Sequence, residues 1–160
     1  MTILYVFLYT GVRRGELLGL RIQDIDLENE SIYIRAQTSK SKKGRRIPIN
    51  PILLMSLKKY LELLFKRKSR CGYLFVSSKQ DTALTTHGLK NLMNKYRRLS
   101  GVKFSAHQLR QTFACALAKQ NADIMSIKCA LGHSSITMTE RYLRSIGSEN
   151  TRVFINKLSF

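Results

Sequence analysis

SIYIRAQTSKSKKGRRIPI, residues 31–49, is the stretch on which the architecture turns. Ser31 to Ala36 alternates apolar and polar side chains with period two, as a half-buried strand does. Gln37 to Gly44 follows as a polar, lysine-rich loop, and Arg45 to Ile49 returns to a strand pattern. Together they predict a β-hairpin with a long basic tip. Only Tyr73 to Val76 offers another strand, short and apolar, and it is expected to complete the sheet.

Outward from the hairpin the chain reads as helices. Residues 2–9 form one that breaks at Thr10-Gly11, and a short second runs from Arg13 to Leu20. Asp26 to Glu30 is a polar turn. Asn50 followed by Pro51 is an N-cap and first-turn pair, opening a helix to about Lys66. Its apolar face is expected to hold Ile52, Leu53, Leu57, Tyr60, Leu61 and Leu64. Thr85 or Thr86 caps a basic helix to about Leu99, and Ser105 caps the next, Ala106 to Gln120, with Leu109, Phe113, Ala114 and Leu117 facing the core. Asp123 caps another that ends at Gly132, and a last pair covers about 135–143 and 149–157. The expected fold class is α+β: one mainly helical domain over residues 1–160, with a small three-stranded antiparallel sheet.

At 160 residues and 44% hydrophobic, the chain has material for one real core, and its two prolines and nine glycines argue against disorder. Lys+Arg 28 against Asp+Glu 10 leaves +18, far more than solubility needs, which points to a polyanionic partner such as nucleic acid. Glu16, Asp24, Asp26, Glu28 and Glu30 cluster early, so the rest is more basic still. Cys71, Cys115 and Cys129 are odd in number and lack metal-ligand spacing, so they are expected to be buried free thiols in a reducing cytoplasm or nucleoid. The apolar run Ile3 to Tyr9 is too short to span a bilayer and lacks a basic leader, so no membrane partner is expected.

Four segments carry candidate chemistry. In Thr10-Gly-Val-Arg-Arg-Gly-Glu16 a glycine break delivers Arg13 to a helix start, where backbone N–H groups also favour an anion. In Ser105 to Ala114, His107 and Arg110 lie three apart on one helix face. Leu131-Gly-His-Ser-Ser135 presents His133 at a helix end, and Tyr142 follows nine residues later in Thr139-Glu-Arg-Tyr-Leu143. Each alone is ordinary: a solvated arginine, a surface or structural histidine, a tyrosine at a core edge.

Taken together, TGVRRGELLGL, HQLRQTFA and LGHSSITMTERYLR closely resemble the box motifs of the tyrosine recombinase (phage-integrase) family, and the resemblance runs from the first helix through Tyr142. It implies a DNA strand transferase that cuts and rejoins double-stranded DNA through a 3′-phosphotyrosyl link, without metal or other cofactor. Arg13 and Arg110 match the phosphate clamp, Glu16 the acidic residue that supports the first arginine, and His107 and His133 the two histidine positions. Tyr142 matches the nucleophile. Lys40, eight residues before Pro48, matches the hairpin lysine in preference to Lys42 and Lys43. Gln111 departs from the His or Arg often found after the second arginine. No segment corresponds to the helical DNA-gripping domain that usually precedes the catalytic one, so the chain reads as the catalytic domain, with that N-terminal domain absent. The expected partners are DNA and other recombinase protomers: a synaptic tetramer on DNA, a monomer free in solution, and a cytoplasmic, nucleoid-associated location.

The chemistry suits these residue types. A phenol ionises only near about pH 10, so the nucleophile needs nearby cations. A guanidinium fork grips two phosphoryl oxygens, and each preorganised donor is worth about 3–4 kcal/mol. A hairpin lysine can protonate the leaving 5′-oxygen, and an imidazole titrates near working pH. Two other functions remain open on sequence: a type IB topoisomerase, and a non-catalytic DNA-binding or assembly partner.

Overall fold

The computed structural model describes residues 1–39, 42–77 and 80–143, the last three of them by backbone alone. In chain order, helices α1 (Thr2–Thr10) and α2 (Arg14–Gly19) precede strands β1 (Ile25–Asp26), β2 (Ser31–Ile34) and β3 (Arg45–Pro48). Helices α3 (Pro51–Lys66), α4 (Thr86–Ser100), α5 (Ala106–Lys119), α6 (Ile124–Leu131) and α7 (Ile136–Leu143) follow. This is the expected α+β class, and the hairpin is present: β2 and β3 pair antiparallel with Ile32 opposite Ile47 and Ile34 opposite Arg45.

The third strand is not the expected one. The sheet runs β1-β2-β3, so Ile25–Asp26 supplies its edge. Residues 73–76 make only single bridges, Tyr73 to Arg21 and Val76 to Ala83. Leu74 and Phe75 are buried there as core residues, and the Leu74 N–H goes to the Leu20 carbonyl at 2.8 Å. A segment whose apolar residues fill a core from a loop looks like a strand in sequence. A two-residue strand has too little length for any period to show.

The helix starts follow their caps. Asn50, Thr85, Ser105 and Asp123 each accept a backbone N–H of the first turn through the side chain. On α3 the inward stripe is Leu53, Leu57, Leu61 and Leu64, spaced at helical intervals. Ile52, expected on that face, is instead 52% exposed, because it sits about a hundred degrees around the helix from Leu53. The Tyr60 hydroxyl donates to the Leu74 carbonyl at 3.0 Å, tying α3 to that buried loop.

Among the described residues two apolar clusters result. The larger runs through α1, α2, the sheet, α3 and α4, with Phe7, Leu17, Ile32, Leu53 and Leu57 fully buried. The smaller gathers Phe113 and Ala114 of α5 with Ile127 and Leu131 of α6. They meet where α1 ends. Gly11 has φ +59°, and a Cβ on it would lie 2.4 Å from the Phe113 ring, so both backbone and packing require glycine. The cysteines form no disulfide, but they are not buried as expected: Cys129 is exposed and the other two are half-buried. No helix among the described residues is long and apolar enough to cross a membrane.

Candidate active site

A helix leaves its last carbonyls without intrahelical donors, and α6 ends at Gly132, in the left-handed conformation at φ +64°. The orphaned oxygens of α6 and its cap collect three arginines. Arg45 Nε donates to the Ala130 carbonyl at 2.9 Å and Arg110 Nη2 to Leu131 at 2.8 Å. Arg13 reaches Leu131 and Gly132 through Nη1 and Nη2 at 3.4 and 3.3 Å. The negative end of the α6 dipole adds to the attraction. Arg110 also donates to the Gly11 carbonyl, and it is 3% exposed, so α5 delivers a guanidinium that is buried and fixed by backbone at both ends.

Glu16 balances this charge. It lies in the first turn of α2, is 1% exposed, and accepts from the Arg13 backbone N–H at 2.8 Å and from Arg13 Nη1 at 3.1 Å. Arg45 closes on it from the other side, Nη1 to Oε1 at 3.0 Å and Nη2 to Oε2 at 2.9 Å. Burial alone would raise the Glu16 carboxyl. The Arg45 hydrogen bond and charge, then those of Arg13, outweigh it and hold the group below the ordinary carboxylate range.

His133 follows the Gly132 cap and is buried, with Nδ1 2.9 Å from Oγ1 of the fully buried Thr139 on α7. Burial pushes its pKa down from 6.5 to about 4, and the charges of Arg110, Arg13 and Arg45 act in the same direction against a small opposing effect of Glu16. The imidazole is therefore neutral at pH 7. His107 stands at the exposed start of α5.

Of the expected residues, Arg13, Glu16, His107, Arg110 and His133 converge. A cavity of about 670 Å³ is lined by Arg13, Glu16, Thr38, His107, Arg110 and His133. Tyr142 lies by its backbone in the last turn of α7, and its side chain is outside the described residues, as is Lys40. Among the described residues no three His, Cys, Asp or Glu side chains gather in a group able to hold a metal. Sequence reasoning missed Arg45 and Thr139. Arg45 meets Glu16 across 29 residues and Ala130 across 85, so no local spacing exposes it. Thr139 lies six residues after His133, a separation that a look at the α7 face would have raised.

The Phage integrase family model matches residues 1–148. Tyrosine recombinase XerA of Pyrococcus furiosus is 36% identical over 137 residues, which cover 84% of this chain and 46% of that protein. The crystal structure of XerA recombinase superposes with a TM-score of 0.86 at 29% identity, covering 99% of this chain and 58% of that one. XerH site-specific recombinase, bound to a palindromic difH substrate in a post-cleavage complex, gives 0.77 at 26% identity, over 98% of this chain and 44% of that one. The chain spans about half the length of the curated relatives it matches.

Proposed function

The chain belongs to the phage integrase family, and from that premise we propose that residues 1–160 form the catalytic domain of a site-specific DNA recombinase. The observation that carries it is the convergence of Arg13, from the N-cap of α2, and Arg110, from α5, on the carbonyl of Leu131 beside one cavity. Two forks fixed by backbone oxygens are preorganised for the non-bridging oxygens of one phosphodiester, and need no rearrangement as charge builds on the phosphorane.

Tyr142 attacks the phosphorus, its hydroxyl proton passing to His107. The bond to the deoxyribose 5′-oxygen breaks, and Lys40 protonates that oxygen. One phosphoester replaces another, so rejoining is the reverse attack by a 5′-hydroxyl and no nucleotide is consumed. His133 is neutral, and its role here is that of the tautomer protonated on Nε2, which donates to a phosphoryl oxygen while Nδ1 accepts from the Thr139 hydroxyl 2.9 Å away. Glu16 supports Arg13. The substrate is double-stranded DNA, in keeping with the +18 charge and with XerH's difH complex. Exchange between two duplexes breaks four strands, and each chain carries one nucleophile, so four protomers form the synapse, assembled from monomers free in solution.

Incubation with nicked suicide duplex carrying the cognate site, in EDTA, tests this. A covalent protein–DNA adduct is expected from the wild-type chain and none from Tyr142→Phe. Absence of adduct from the wild type, or its persistence in Tyr142→Phe, contradicts the assignment.

A further inference from the structure

Glu16 is shared. Its Oε1 accepts from Arg13 Nη1 and Arg45 Nη1, and its Oε2 from the Arg13 backbone N–H and Arg45 Nη2. The carboxylate side chain is wholly buried and the Arg45 side chain only 10% exposed, so the pair is desolvated and its geometry is strict. Arg45 is also packed against the α6 cap: a Cβ on Gly132 would lie 2.7 Å from its Nη1. Arg45 starts β3, on the strand that leaves the hairpin. One guanidinium thus spans the hairpin base, the carboxylate beneath Arg13, and the turn whose carbonyls hold Arg13 and Arg110.

We propose that Arg45 is a positioning residue that aims Arg13 at the scissile phosphate, by occupying one side of Glu16 and fixing the end of α6; this rests on the recombinase function proposed above. Without Arg45, the buried carboxylate would keep Arg13 as its one ion-pair partner among the described residues. Arg13 would then be drawn inward onto Glu16, off the Leu131 and Gly132 carbonyls and away from the cavity. Lysine is no substitute, because a single ammonium cannot span both carboxylate oxygens and the Ala130 carbonyl as the fork does.

The test measures single-turnover adduct formation at saturating suicide DNA, with either a normal phosphodiester or a neutral methylphosphonate at the scissile position. The clamp acts on phosphate charge, so losing its aim slows the diester and barely affects the methylphosphonate. Arg13→Ala gives the reference pattern. Arg45→Lys is expected to slow diester cleavage by about tenfold to a hundredfold, with DNA affinity held within about twofold and the methylphosphonate rate little changed. Arg45→Ala shows the same pattern if it folds; thermal melts report that, and Arg45→Lys carries the test if it does not. Equal slowing of both substrates, a diester rate within about twofold of wild type, or loss of the folded state in Arg45→Lys each overturn the proposal. A wild-type chain that forms no adduct overturns the recombinase function instead, so the two failures are distinct.

Discussion

The larger apolar cluster is built on hydrophobic contact, with polar bonds such as Tyr60 to Leu74 at its margin: α1, the sheet and α3 bury Phe7, Ile32, Leu53 and Leu57 completely. The smaller cluster has four buried members, Phe113, Ala114, Ile127 and Leu131, and a polar seam binds it to the larger one. Arg13, Glu16 and Arg45 come from the larger side of that seam. Arg110, His133 and the carbonyls of residues 130–132 come from the smaller. The difference teaches where chemistry fits in this fold. A dry apolar interface would bind the halves more simply, but a seam of guanidiniums, carbonyls and one carboxylate binds them and leaves a charged cavity at its mouth.

Removing the seam's centre gives the largest expected effect. Arg110→Ala should lower the adduct-forming rate by about a hundredfold to a thousandfold, read in single-turnover cleavage. It should also destabilise the chain by about 1–3 kcal/mol, because the Gly11 carbonyl loses its Arg110 donor and the Leu131 carbonyl keeps just the longer bond from Arg13. Leu57→Ala breaks the larger cluster instead. Chemical denaturation should show a loss of about 2–5 kcal/mol, with cleavage unchanged at temperatures where the variant stays folded.

Acid tests the seam without mutation. His133 is neutral in the fold with a pKa of about 4, against 6.5 when exposed, so the unfolded chain takes up that proton first as pH falls. The contribution is fully present above pH 6.5 and is lost as pH falls toward about 4. Glu16, held below its ordinary range, loses its contribution at still lower pH. Denaturation midpoints across pH should therefore decline below pH 6.5, and His133→Gln should flatten the upper part of that decline. The smallest effect is in hydrogen exchange. Amides of α6 should exchange through a lower-energy opening than those of α3, and equal protection would erase the distinction between the clusters.

The hairpin was legible from its period of two, and α3 through α6 from their caps. Ile25–Asp26 was not, being too short for a period, and residues 73–76 misled because a buried loop can be as apolar as a strand. The site was legible in a different way. Arg13, His107, Arg110 and His133 are each ordinary in isolation, and only their resemblance to family motifs singled them out. The structure then gathers these four with Glu16 around one cavity. Arg45 was illegible because its partners are set by folding, far along the chain.

The most direct measurement is the identity of the covalent bond. The adduct trapped on suicide DNA is digested with protease and nuclease, and the nucleotide-bearing peptide is sequenced by mass spectrometry. The expected result is a 3′-phosphate joined to Tyr142. Attachment at any other residue, or through a 5′-phosphate, contradicts the account.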